Sequence, residues 1–165
     1  MKILITGIPG SGKTLISQEI KKKYPKLKFF IINDKDFSMS RKLGSFDKVT
    51  KEYVVDIVKL NKETKFAFNK DFKNTIFEGH LWCELSKKTL MKFDYIFYLD
   101  VKEKLLRKRL VERKYDTVKI EENIMCLNTN YIQNMLFKIK IPFHSISADD
   151  DLKLNLNKIN KFLRL

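Results

Sequence analysis

"GIPGSGKT" (Gly7–Thr14) follows directly on the apolar run "KILIT" (Lys2–Thr6), and its reading governs the rest of the chain. Three glycines, a proline, a lysine and two hydroxyls within eight positions match G-x-x-x-x-G-K-[ST] completely. The context is also right: a strand-like run precedes the loop, and a helical pattern, "KTLISQEIKKKY" (13–24), follows it. Glycines let backbone N–H groups turn inward with no Cβ in the way. The start of the helix adds the positive end of its dipole. Lys13 is placed to reach β and γ phosphates, and the Thr14 hydroxyl is placed to ligate Mg²⁺. The stretch predicts a bound nucleoside triphosphate.

Outward from the loop, strand and helix patterns alternate. Strands are expected at 2–6, 28–33, 74–79, 95–100 and 143–147. Helices are expected at 13–24, 46–63, 101–114 and 118–139, and a last one follows "ADDD" (148–151) to Leu165. Leu15, Ile16 and Ile20 fall on one face of the first helix; Val54, Ile57, Val58 and Leu60 follow helical spacing in the second. The alternation predicts an α/β fold, a parallel sheet with helices on both faces and right-handed crossovers. Ligands in such sheets bind at the carboxyl ends of the strands. Those ends are Gly7, Asn33, Glu78–His80, Asp100 and Ser147.

With 165 residues, 44% of them apolar, the chain suits one domain (1–165) with a proper core. Lys and Arg total 34 against 20 Asp and Glu, a net charge of +14. That balance attracts polyanions such as nucleotides, RNA or an anionic membrane surface, or it is a general lysine bias, since the lysines are spread along the chain. Cys83 and Cys126 form no CxxC and no metal-site spacing, so both thiols are expected to be packed in a reducing, intracellular setting. "MKILITG" is too short before its glycine for a signal peptide, and no apolar run approaches a membrane span. A soluble cytoplasmic protein is expected.

A loop of this kind serves GTPases, ATPases and small-molecule kinases. "NKET" (61–64) and "NKDF" (69–72) lack the aspartate of a guanine-reading NKxD motif, and both read as solvated surface. Large motors and AAA-type ATPases need more chain. Glu78 ends the third strand and is placed to hold Mg²⁺ through water. His80 either positions a nucleophile, orients Glu78, or is a hydrogen-bonded structural histidine; His144, opening the fifth strand, reads as structural. Arg107, Arg109 and Arg113 lie on a charged helix. Arg109 and Arg113, at i and i+4, share a face and suit the spreading charge of phosphoryl transfer, while Arg107 reads as solvated. "ERKYDT" (112–117) fits either a small lid that keeps water from ATP or a plain surface turn.

Together "GIPGSGKT", "FEGH" (77–80) and "LLRKRLVERKYDTVKIEEN" (105–123) resemble the adenylate kinase isoenzyme 6 (CINAP-type) family, its archaeal members in particular. The resemblance covers the whole chain in the same order and length. Its specific part is Arg109-Leu110, Arg113, Tyr115, Lys119-Ile120 and Glu122-Asn123. It implies a P-loop nucleoside monophosphate kinase fold with a five-stranded parallel sheet. The implied reaction is ATP + AMP ⇌ 2 ADP with Mg²⁺, with some ATPase activity. Family members are also tied to small ribosomal subunit maturation through a small-subunit ribosomal protein and rRNA. By the same resemblance Gly10, Ser11, Gly12, Lys13, Thr14 and Leu15 contact ATP, Glu78 and His80 form the acidic-and-histidine segment, and Arg113 reaches ATP from a lid at about 112–122 with Arg109 nearby. An acceptor-binding insertion is implied at 34–58, with Asp36 and Arg41 as its contacts. Two departures stand out: Lys114 replaces the lid glycine, and Arg41 lies two positions beyond the family's arginine.

Three readings result. The first is a nucleoside monophosphate kinase using AMP. The second is an ATP-hydrolysing assembly factor that binds ribosomal protein and rRNA. The third is a kinase for another small acceptor, such as shikimate or a nucleoside.

Overall fold

The computed structural model describes residues 1–68 and 73–163. Its strands are β1 (Lys2–Thr6), β2 (Phe30–Asn33), β3 (Gly44–Phe46), β4 (Tyr53–Val55), β5 (Thr75–Glu78), β6 (Tyr95–Asp100) and β7 (His144–Ser147). Its helices are α1 (Lys13–Lys23), α2 (Asp34–Ser40), α3 (Ile57–Ala67), α4 (Lys87–Leu90), α5 (Glu103–Glu112), α6 (Thr117–Asn128), α7 (Tyr131–Lys138) and α8 (Leu152–Leu163). Single 3₁₀ turns lie at Pro25–Leu27 and Leu81–Glu84.

Five strands form one parallel sheet in the order β2-β5-β1-β6-β7, with helices on both faces. The reason is legible in β1: Ile3, Leu4 and Ile5 are all fully buried, as only a strand covered on both faces can be. Each such side chain contributes about 1.5–3 kcal/mol by leaving water. Register then places the strand ends side by side. Glu78 of β5 pairs with Ile5 of β1 on one side and Asn33 of β2 on the other.

An aromatic cluster buttresses the segment after β5. Trp82 packs edge-on against Phe77 at 5.3 Å and tilted against Phe37 at 5.4 Å. Phe77 also meets Phe68 and Phe93, each at 5.0 Å. The Trp82 indole N–H donates to the Glu78 carbonyl at 3.1 Å, so the turn carrying His80 is tied to the end of its own strand. His144 stacks on the Phe162 ring at 3.8 Å, a packing role.

Five expectations need correction. Residues 46–63 are not one helix: a β3–β4 hairpin precedes α3. The Asp47 carboxylate accepts from Val49 N–H (2.7 Å) and Thr50 N–H (2.9 Å), which closes the hairpin tip as an Asx turn. The β-formers Tyr53, Val54 and Val55 then pair back, and Asp56 caps α3 through Lys59 N–H at 3.0 Å. Residues 118–139 form two helices, broken at Asn130, which takes the left-handed conformation (φ 51°) that asparagine tolerates. Leu15 is exposed, unlike Ile16 and Ile20, and Cys126 is exposed while Cys83 is buried. "NKET" is not solvated throughout: Thr64 is fully buried, and Asn61 accepts from Ser86 N–H and Thr89 Oγ1. "NKDF" and the last two residues lie outside the described residues. Among the described residues no helix is long and apolar enough to cross a membrane.

Candidate active site

The glycine loop wraps the space above the carboxyl end of β1. Gly10 and Gly12 adopt φ values of +92° and +100°, which L side chains rarely take, and Ser11 N–H closes the turn onto the Ile8 carbonyl at 3.0 Å. Lys13 folds back over the loop, its Nζ donating to the carbonyls of Gly7 (2.8 Å) and Ile8 (3.0 Å). Burial pushes its ammonium down to about 8, against the opposing pull of the Asp34 and Glu78 carboxylates. A polyphosphate at the loop would supply the missing countercharge.

The Glu78 carboxylate is buried beside the loop. Its Oε1 accepts from Asn33 Nδ2 at 3.1 Å and from Thr14 Oγ1 at 3.3 Å. Its Oε2 is buried with no hydrogen-bond partner among the described residues. An orphaned carboxylate oxygen next to a hydroxyl, both hard oxygen donors, fits a Mg²⁺ carried in with a nucleotide.

Arg109 rises from α5 and clasps the loop. Its Nη1 donates to the Gly10 and Ser11 carbonyls (3.3 Å each), and its Nη2 donates to the Ala148 carbonyl after β7 (3.2 Å). Arg113 caps α5 and is exposed, with no side-chain partner among the described residues. Arg113–Asp116 link α5 to α6. Arg107 is half-buried and bridges Glu103 and Glu121.

A cavity of about 1060 Å³ gathers Gly10, Gly12, Lys13, Thr14, Leu15, His80, Arg109 and Arg113. Ser11 lies buried beneath the loop. A neighbouring groove of about 630 Å³ meets the cavity at Thr14 and Asn33 and holds Glu78, Asp36 and Arg41. Asp36 and Arg41 are exposed there, apart from Lys13. Arg41 pairs with Glu63 at 3.1 Å, and its guanidinium lies 5.1 Å from the Phe37 ring centre and 4.9 Å from that of Phe66. Met39 lines the cavity instead.

His80 faces Asp34, not Glu78: its Nδ1 is 3.8 Å from Asp34 Oδ2, too far for a hydrogen bond. Burial lowers the imidazole's proton affinity more than Asp34 raises it. Asp34 itself was missed in the sequence, although it stands one residue past the β2 strand end. It is 3% exposed, and it accepts from Lys35 N–H (2.8 Å) and Leu81 N–H (2.7 Å). A Cβ on Gly79 would sit 2.0 Å from its carboxyl, so only glycine fits there. Lys119 was another unassigned cation; it ties the α6 side of the cavity to the hairpin through Glu52 at 2.6 Å.

A family model described as an AAA domain matches residues 3–129, from β1 to the start of the α6–α7 break. A Thermococcus kodakarensis protein provisionally named an adenylate kinase is 33% identical over 126 residues, 75% of this chain. The chain spans about 63% of that relative's length. An adenylate kinase isoenzyme 6 homolog of Caenorhabditis elegans is 30% identical over 124 residues, covering 75% of this chain and 65% of its own. The fold matches that of deoxyadenosine kinase from M. mycoides at a TM-score of 0.66 and 24% identity, over 99% of both chains. With the phosphate loop, the strand-end carboxylate and the α5 arginines in place, the chain belongs to the adenylate kinase isoenzyme 6 family.

Proposed function

We propose that the chain is a nucleoside monophosphate kinase that moves the γ-phosphoryl group of ATP to AMP, giving two ADP. The observation that carries this reading is the convergence of Lys13, Arg109 and Arg113 on one cavity at the carboxyl ends of the strands. Its volume, about 1060 Å³, exceeds the usual range for one small ligand and suits a donor and an acceptor together. In phosphoryl transfer the protein's task is positioning and charge stabilisation.

The loop N–H groups and the α1 dipole hold the β- and γ-phosphates. Lys13 leaves its two carbonyl contacts to bridge them. Mg²⁺, held through Thr14 and Glu78, would neutralise charge on the β and γ oxygens. Arg113, without a side-chain partner among the described residues, swings in from the 112–122 lid, while Arg109 fixes the loop's shape. Closing this lid onto the 34–58 insertion keeps water out, and an imperfect seal gives a slow ATPase. Residues 1–165 act as one catalytic unit in the cytoplasm.

The surplus of basic side chains, +14 overall, favours a second reading: an assembly factor that binds a small-subunit ribosomal protein and rRNA and spends ATP there. Product analysis with Mg-ATP, with and without AMP, separates the two. ADP formed in a two-to-one ratio to AMP consumed, much faster than ATP loss alone, supports the kinase. ATP loss indifferent to AMP, joined to RNA binding that falls steeply with salt, supports the assembly factor.

A further inference from the structure

Asn33 ends β2, an edge strand of the sheet, and pairs in register with Glu78 of β5. It lines both the main cavity and the neighbouring groove. Its side-chain amide is engaged at both ends. The Nδ2 end donates to Glu78 Oε1 at 3.1 Å. The Oδ1 end accepts from the backbone N–H groups of Lys35 (3.0 Å) and Asp36 (3.2 Å), which caps α2. The amide has a single workable orientation. Turned over, it would set Oδ1 against a carboxylate oxygen and Nδ2 against two N–H donors.

The two ends serve different halves of the site. On the phosphate-loop side, Glu78 Oε1 receives Asn33 Nδ2 and, at the longer 3.3 Å, Thr14 Oγ1. Oε2 is then the oxygen left without a partner among the described residues. The last torsion of a glutamate is soft, so its carboxylate is aimed only if something holds it. A donor fixed at a strand end does that. On the side of the 34–58 insertion, α2 places Asp34, Lys35 and, a turn after Lys35, Met39 in the cavity wall. Lys35, Lys51 and Lys119 bring ammonium groups to this side, which suits an acceptor that carries phosphate. Lys35 stands in the first turn of α2, so the cap that fixes this turn also fixes where its charge is offered.

We infer that Asn33 is a positioning residue for both substrates. Its N–H end aims the Glu78 carboxylate at the metal that accompanies the nucleotide, and its oxygen end holds the start of the acceptor helix in register with that carboxylate. The inference rests on the phosphotransferase reading above. Asn33 acts through Glu78 and through α2, not on the reacting atoms. Two consequences separate this role from that of an ordinary helix cap. Removing the N–H end alone weakens Mg²⁺ use without loosening α2, since serine caps about as well as asparagine but is too short to span from the cap to Glu78. The removal is also nearly silent once Glu78 itself is changed, because the two residues act as one unit.

The test compares Asn33→Ser, Asn33→Ala, Glu78→Gln and the Asn33→Ser, Glu78→Gln pair on the full chain. Calorimetric titration with a non-hydrolysable ATP analogue across a Mg²⁺ series reads metal use without turnover. Thermal unfolding reads the helix, and steady-state rates read KM for AMP. Asn33→Ser is expected to raise the Mg²⁺ concentration for half-maximal analogue binding about tenfold, with melting temperature and KM for AMP close to wild type. Asn33→Ala is expected to show the same Mg²⁺ shift, a lower melting temperature and a KM for AMP about fivefold higher, because the cap is gone. The pair is expected to match Glu78→Gln within about twofold. A Mg²⁺ dependence unchanged in Asn33→Ser overturns the inference and leaves Asn33 a helix cap. A shift in the pair equal to the product of the single shifts overturns its action through Glu78. A KM for AMP unmoved in Asn33→Ala overturns the acceptor half. A wild-type chain that phosphorylates no AMP overturns the monophosphate kinase reading and the acceptor half with it, and the Mg²⁺ titration still decides the metal half.

Discussion

Proton binding by Lys13 should control nucleotide affinity above neutral pH. Burial lowers its ammonium from 10.5 to about 8 in the free protein. A bound triphosphate restores the charge, so binding must take up a proton wherever the free side chain has lost one. At pH 7 about nine in ten Lys13 side chains are charged, and at pH 9 about one in ten. Affinity for an ATP analogue should therefore fall about tenfold from pH 7 to pH 9, or about 1.4 kcal/mol. Calorimetric titration in two buffers of different ionisation enthalpy reads both the affinity and the proton uptake. In Lys13→Met, binding should be weaker and this pH slope should vanish. An affinity flat across pH 7–9, or an equal slope in Lys13→Met, would refute the burial argument. The same shift has a consequence for folding. The unfolded chain holds this proton up to pH 10.5 and the folded one only to about 8, so the contribution of Lys13 to stability rises with pH between those values.

Three further substitutions probe the site. Gly79→Ala forces a side chain onto a backbone at φ +145° and onto the Asp34 carboxyl, so thermal unfolding should show a loss of about 2 kcal/mol or more; an unchanged melting temperature would contradict the packing described for this turn. Glu78→Gln removes the charged orphan oxygen, and the Mg²⁺ concentration for half-maximal turnover should rise about tenfold, close to 1.4 kcal/mol; an unshifted Mg²⁺ dependence would separate Glu78 from the metal. His80→Gly should retain ATP binding and slow turnover, read as a lower kcat with little change in KM; wild-type turnover would make His80 a structural residue.

The phosphate loop was legible because its chemistry depends on spacing alone: Gly10, Gly12, Lys13 and Thr14 act through backbone and neighbours fixed by eight consecutive positions. Glu78 and His80 could be found because parallel strands deliver their carboxyl ends to one edge. The same rule reaches Asn33, yet Asp34 was passed over, since its importance comes from burial and from the close approach of Gly79, which no local pattern announces. The hairpin was hidden by a chance continuity: Val54 belongs to a strand, Ile57, Val58 and Leu60 belong to the helix after it, and together they mimic one helical stripe. The Asx turn at Asp47 was the available signal. Arg41 illustrates helical phase. Two residues along an α-helix turn a side chain by about 200°, so Met39 faces the cavity and Arg41 the groove behind it.

The fate of the γ-phosphoryl group tests phosphotransfer most directly. Purified protein would be given ATP labelled at the γ-phosphate, Mg²⁺ and AMP, with Lys13→Ala as the blank. Label appearing in ADP, absent from the blank, is the predicted result. Label released only as inorganic phosphate, at a rate that AMP does not alter, would contradict a monophosphate kinase and make the chain an ATPase.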